Sequence, residues 1–172
     1  MNRRLWMAGV GAAAAVAGAG VAWWRLQPGP SLTGAESAFW ASEFPGVRGD
    51  TLRMKAFSGR PLLVNFWATW CPPCVEELPL INQFYRQQAA AGWQVLGLAV
   101  DQAGPVGRFL ERLPLDFPVA LAGFAGTDLS RSLGNASGAL PFSVVLGRDG
   151  AVLHRKLGRV TADELRQWAQ LG

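Results

Sequence analysis

Leu62 to Ala68 is a nearly unbroken apolar run, Leu-Leu-Val-Asn-Phe-Trp-Ala, set between the turn signal Ser58-Gly59-Arg60-Pro61 and the polar Thr69. A strand this apolar cannot leave either face in water, so it reads as the central strand of a sheet covered on both sides. The segment that follows, Pro72 to Ala91, has proline at an early helical position and stops at Gly92, which predicts a helix. Between the two stands Trp70-Cys71-Pro72-Pro73-Cys74, and its two cysteines are the only ones in 172 residues. A strand that hands two cysteines to a helix start makes a dithiol reactive, and the chemistry implied is thiol–disulfide exchange.

The rest of the chain supplies what such a strand needs. Ala35 to Phe44 opens with a helical turn, and Thr51 to Lys55 alternates as an edge strand does. Gln94 to Val100 is a second buried strand, Val106 to Leu113 a short amphipathic helix, Phe117 to Leu121 a short strand and Thr127 to Leu133 one or two helical turns. Phe142 to Leu146 is an apolar strand, Gly147-Arg148-Asp149-Gly150 a hairpin turn, and Ala151 to Leu157 its antiparallel return. Thr161-Ala162-Asp163-Glu164 is a capping-box pattern opening a last helix to Leu171. The order predicts an α/β domain with a central mixed sheet flanked by helices.

Exchange is carried by the thiolate, and a helix amino terminus favours that anion through its dipole and free N–H groups. Cys71 falls at the terminus and Cys74 one turn inside, so Cys71 is the expected exposed, attacking cysteine and Cys74 the resolving one. Zinc would need four N or S ligands, and no third cysteine is present while the sole histidine, His154, stands alone on a hairpin strand. A structural bridge closing so short a loop stabilises little.

Leu5 to Trp24 is uncharged, with Arg3 and Arg4 before it and Arg25 after. Twenty residues at a helical rise of 1.5 Å span about 30 Å, the thickness of a bilayer core, and the basic residues hold the amino end in the cytoplasm. Residues 1–25 therefore read as a signal anchor or a signal peptide. Ala17-Gly18-Ala19 fits a cleavage site, whereas Trp23-Trp24-Arg25 fits an uncleaved interfacial anchor. The spacing of Gly11 and Ala15 is what chance gives in so small-residue-rich a segment, and Leu-Trp-Met after Arg3-Arg4 matches a twin-arginine signal poorly. Residues 26–34, with Pro28, Gly29 and Pro30, form a linker, and 35–172 the domain. Setting aside Arg3, Arg4 and Arg25 leaves 13 basic residues against 12 acidic, so the domain is nearly neutral. No basic stripe interleaved with aromatics suggests nucleic acid. Either reading of the amino terminus exports the domain to a compartment where disulfides persist.

Phe66-Trp67-Ala68-Thr69-Trp70-Cys71-Pro72-Pro73-Cys74 followed by Glu77-Leu78-Pro79 resembles the thioredoxin-like superfamily, and within it the TlpA/ResA type of membrane-anchored thiol–disulfide oxidoreductases. The resemblance covers residues 35–172. It implies a thioredoxin-like fold, a cis proline at Pro141 facing the dithiol, and a substrate surface from Trp70, Leu140 and Pro141. Leu140 would offer backbone groups to an extended peptide. The family's helix-kinking proline falls on Pro79. The buried Asp of ordinary thioredoxins is Asn65 here, as in many TlpA/ResA relatives, and an amide cannot act as a base. Glu76 and Glu77 read first as first-turn acids that stabilise the helix dipole. The other reading makes Glu77 a proton acceptor for Cys74. Trp67 reads as core as readily as site, Asp101 equally as a residue of the sheet edge where α/β sites gather and as a cap for the next segment, and His154 as an exposed hairpin residue.

The function implied is reduction of protein disulfides by a domain on the outer face of a bacterial inner membrane, facing the periplasm. Apocytochromes c or copper-site proteins are the implied substrates and a transmembrane thiol carrier the implied donor. No cofactor beyond the Cys71–Cys74 disulfide is expected, and the protein is expected to be a monomer. A non-catalytic tethered chaperone, a copper-handling dithiol protein and a disulfide-forming oxidant remain as alternatives. A peroxidase is disfavoured because Thr69 lies two residues before Cys71, not three.

Overall fold

The computed structural model describes residues 32–171, and the expected anchor or signal segment lies outside them. Among the described residues, no helix is long and apolar enough to cross a membrane.

Helix α1 (Gly34–Ala41) starts at Thr33, where a capping box forms with Glu36. A two-stranded antiparallel ribbon follows, β1 (Glu43–Pro45) with β2 (Thr51–Arg53), and the bridge Gly46–Ala120 ties it to the main sheet. After a 3-10 turn at Met54–Phe57 come β3 (Leu62–Trp67), α2 (Pro72–Gln88), β4 (Gln94–Ala99), α3 (Ala103–Arg112), β5 (Val119–Leu121), α4 (Gly126–Ser132), β6 (Phe142–Leu146), β7 (Val152–Leu157) and α5 (Ala162–Trp168). The five-stranded sheet has the order β5-β4-β3-β6-β7. Strands β3, β4 and β5 are parallel, β6 is antiparallel to β3 and β7 to β6. This is the thioredoxin-like mixed sheet that the sequence implies, with every residue of β3 buried.

Alternation along the strands divides the core in two. Leu63, Trp67, Val95, Ala99 and Val145 face α2, α3 and α5, where they meet Cys74, Leu78, Ile81, Phe109 and Leu165. Leu62, Val64, Phe66, Leu98, Phe142 and Val144 face α1 and α4, where they meet Phe39 and Leu133. Each large apolar side chain fully withdrawn from water contributes about 1.5–3 kcal/mol.

One strand was not expected, and two expected bounds need correction. The ribbon strand β1 has no apolar alternation in its sequence, Glu-Phe-Pro, and exists through pairing with β2. The edge strand ends at Arg53, because Met54 turns into the 3-10 segment and is fully buried there. Helix α3 begins at Ala103, before Gly104-Pro105, since a proline in the first helical turn gives up no intrahelical bond.

Candidate functional site

The loop between β3 and α2 is pinned from the neighbouring strand. Asp101, just past β4, accepts from Thr69 N (2.9 Å) and Thr69 Oγ1 (2.5 Å) through one carboxylate oxygen and from Gln102 N (2.7 Å) through the other. It thus caps the next segment, as its position suggests, and also holds the threonine two residues before Cys71. That second contact, across 32 residues, has no sequence signal.

Cys71 is the N-cap residue of α2, and Pro72 and Pro73 occupy its first two positions. Cys71 and Cys74 are joined as a disulfide with Cα atoms 5.3 Å apart. Cys71 is 5 % exposed, Cys74 is fully buried, and Trp70 stands 61 % exposed beside them. The expectation of an openly exposed Cys71 is corrected: its side chain belongs to the α2-side core, and Leu140 packs against that core. The order of access is as expected, since Cys71 is the more open of the two. The backbone donors are unusual. Both prolines lack an N–H, and the next two, Cys74 N and Val75 N, both donate to Cys71 O (3.0 and 3.1 Å). The first turn therefore keeps its dipole but offers a Cys71 thiolate few free N–H groups.

The Leu140–Pro141 peptide bond is cis, as the resemblance implies. Pairing of Phe66 with Phe142 places Pro141 at the carboxyl end of β3, where the dithiol loop begins, and Pro141 O accepts from Gly158 N at 2.9 Å. Trp70, Leu140 and Pro141 thus border the same end of the sheet as Cys71. Pro79 lies within α2, which continues through it. His154 is exposed on β7, with its ring 6.3 Å from that of Trp168.

Glu77 departs most from its first reading. No acidic residue lies in the first turn of α2. Glu76 is on the surface, paired with Arg159 at 2.7 Å with both side chains more than half exposed. Glu77 points inward and is 1 % exposed. Its Oε1 accepts from Asn65 Nδ2 and its Oε2 from Val160 N, each at 2.8 Å. Burial pushes its pKa up to about 7, against the opposing pull of the Val160 and Asn65 bonds and Arg159, with Glu164 adding to the rise. Asn65 also donates to Ser143 Oγ at 3.0 Å, directly across the β3–β6 register. A carboxyl that ionises near neutrality, one helical turn from Cys74, can take up and give back a proton under working conditions.

Sequence reasoning missed Ser143 and Val160. Ser143 had a signal, as the single polar residue of Phe-Ser-Val-Val-Leu, matching the single polar Asn65 of the strand it pairs with. Val160 acts through its backbone and had none. Trp67 is fully buried with its ring 5.2 Å from Phe109, and its indole N–H has no partner among the described residues. No group of three or more His, Cys, Asp or Glu suited to a metal ion lies together among the described residues.

Known proteins resemble this chain over the same span. The Redoxin family profile matches residues 30–169. Thiol-disulfide oxidoreductase ResA of Bacillus cereus is 32% identical over 126 residues, covering 72% of this chain and 70% of that protein. The crystal structure of a candidate thiol:disulfide interchange protein DsbE from Chlorobium tepidum superposes with a TM-score of 0.67 at 31% identity, covering 76% of this chain and 93% of that one. A thioredoxin-related protein from Neisseria meningitidis serogroup B gives 0.65 at 28% identity, covering 75% and 97%.

Proposed function

This chain belongs to the Redoxin family and is a thioredoxin-like thiol–disulfide oxidoreductase of the ResA/TlpA type, and from that premise we propose that it reduces protein disulfides while tethered to the bacterial inner membrane. In this reading residues 1–25 are the anchor, 26–34 the linker and 35–172 the periplasmic domain. The protein works as a monomer and carries no cofactor beyond its own disulfide. Its substrates are apocytochromes c or copper-site proteins, and a transmembrane thiol carrier restores the dithiol.

The observation that carries the reductive direction is the donor-poor start of α2. A dithiol is a strong oxidant when its reduced form is stabilised. Here Pro72 and Pro73 have no N–H, and the next two N–H groups are engaged by Cys71 O. The Cys71 thiolate gains the dipole but few direct bonds, which lowers the potential and favours giving electrons away.

The cycle follows from the placement of each group. The Cys71 thiolate attacks one sulfur of a substrate disulfide seated against Trp70, Leu140 and Pro141. A Cys71–substrate bond forms and the other substrate sulfur leaves as a thiolate. Glu77 then takes the Cys74 proton, and the Cys74 thiolate attacks the Cys71 sulfur. The Cys71–Cys74 bond forms, the mixed disulfide breaks and the second substrate thiolate departs. Two electrons have passed to the substrate, and the proton on Glu77 returns to solvent or to the leaving thiolate.

A glutathione-buffered redox titration of the full chain, paired with insulin reduction, tests the direction. A potential near about −250 mV or lower, with insulin activity lost in Cys71→Ser, is expected; one near about −120 mV would make the protein an oxidant. Stoichiometric Cu(I) capture without turnover would instead favour a copper-handling dithiol protein.

A further inference from the structure

Behind the dithiol, one buried acceptor and one buried donor stand idle. Asn65 is fully buried and spends both amide hydrogens, one on Glu77 Oε1 at 2.8 Å and one on Ser143 Oγ at 3.0 Å. Its Oδ1 has no partner among the described residues. Ser143, 1 % exposed, accepts through Oγ, and its own hydrogen reaches no partner among the described residues. An orphaned amide oxygen in an apolar core is costly.

The idle groups become useful when Glu77 is neutral. Val160 N–H is a fixed donor to Oε2, so a proton taken up by Glu77 belongs on Oε1, the oxygen that faces Asn65. An amide half-turned exchanges its oxygen and nitrogen in place. Turned so, Oδ1 accepts the new Glu77 hydrogen and the idle Ser143 hydroxyl hydrogen together. Each orientation makes two bonds and leaves one end of the amide unpaired, Oδ1 beside the carboxylate and the Nδ2 hydrogens beside the acid. The carboxylate can use only the first, having no hydrogen to give, whereas the carboxylic acid has a hydrogen that the second can accept.

We propose that Asn65, seated on Ser143, is a positioning residue that answers both charge states of Glu77, donating to the carboxylate and turning to accept from the acid once Cys74 has given up its proton. The proposal rests on the reading of Glu77 as the proton acceptor of Cys74. The other groups facing Glu77 cannot reverse: Val160 N–H and the Arg159 guanidinium have no acceptor to offer, and Glu164 of α5 is held by Lys156 of β7 at 2.6 Å. Aspartate in place of Asn65 would set a like charge beside Glu77; the amide keeps the proton's transfer reversible at little cost in hydrogen bonds.

The test is an NMR titration of the oxidised full-length chain, in which the cysteines do not ionise, following the Glu77 carboxyl carbon and the Asn65 side-chain amide from about pH 5 to 9. The expected result is one shared midpoint. Asn65→Leu, which removes the donor, raises the Glu77 midpoint by about one pH unit or more, and Ser143→Ala moves it by less than about half a unit. An Asn65 amide that stays unmoved through the Glu77 midpoint, or a Glu77 midpoint unchanged in Asn65→Leu, overturns the proposal. If Asn65→Leu does not fold, the wild type decides through the hydrogen-bond coupling from the Asn65 Nδ2 hydrogens to the Glu77 carboxyl carbon, expected above the midpoint and lost below it; a coupling that persists on both sides overturns the proposal. A Glu77→Gln enzyme with an unaltered pH–rate profile would remove the acceptor role and leave the shared titration standing. An unmoved amide beside an altered profile would remove only the role of Asn65.

Discussion

Two glutamates are buried in this domain, and they have been given opposite properties. Glu36, 6 % exposed at the start of α1, accepts from Thr33 N (2.7 Å), Thr33 Oγ1 (2.9 Å) and, 116 residues on, Val152 N (2.7 Å). Burial alone would raise its pKa, but those bonds and Arg155 outweigh it and hold the carboxyl below its ordinary value. Glu77, 1 % exposed behind Cys74, has only two donors, Asn65 and Val160 N, and has Glu164 as an unfavourable neighbour. There burial wins, and the pKa reaches about 7. The difference teaches how one residue type serves as a fixed tie in one place and a proton store in another. A carboxylate with three donors and a guanidinium nearby stays charged and anchors structure; one sunk deeper, with two donors and a like charge nearby, exchanges its proton near neutrality.

The comparison breaks most visibly at Glu77. Its folded-state pKa of about 7 lies above the unfolded value of 4.5, so the native state binds this proton more tightly. Stability from this group is therefore fullest below about pH 4.5 and is lost as pH rises through 7, by about 3 kcal/mol in all. Urea denaturation between about pH 4.5 and 8 should show that decline in the wild type and a flat profile in Glu77→Gln. Glu36 has the opposite sign: its contribution is present above pH 4.5 and is lost as pH falls through its lowered pKa. Glu36→Ala should cost about 2 kcal/mol at pH 7, through the lost capping box and the unpaired Val152 N–H, and should blunt the acid-side loss. The smallest effect is expected at Arg159, whose pair with Glu76 is more than half exposed on both sides. Arg159→Ala should change stability by less than about 0.5 kcal/mol, yet shift the Glu77 midpoint upward by a fraction of a pH unit, as carboxyl NMR can register.

These two glutamates also mark how far the sequence can be read. Thr33-Gly34-Ala35-Glu36 carries the spacing of a capping box, so half of the Glu36 site was present in four residues. Its bond to Val152 depends on how β7 is laid against α1, which no local pattern encodes. Glu77 was legible as a position three residues after Cys74, but its depth was not. Whether a helical residue points to core or solvent is settled by what packs there, and its partners Asn65 and Val160 lie 12 and 83 residues away. Strands β3, β4 and β6 were legible because continuous apolar runs suit a sheet covered on both faces. The dithiol was legible from a long, specific motif, and Pro141 only through the family resemblance that the motif carries. Ribbon strand β1 was not, since its three residues owe their conformation to pairing rather than to any periodicity of their own.

Whether the proton of Cys74 goes to Glu77 decides what the buried carboxyl does in the exchange. The direct measurement is the rate at which Cys74 closes on a preformed Cys71 mixed disulfide, followed across pH in the wild type and in Glu77→Gln. The wild-type rate should rise through an inflection near about 7, and the variant should lose it and rise only toward the ordinary thiol range near about 8.5. Superimposable profiles would contradict the account and leave Glu77 a buried residue with no part in the exchange.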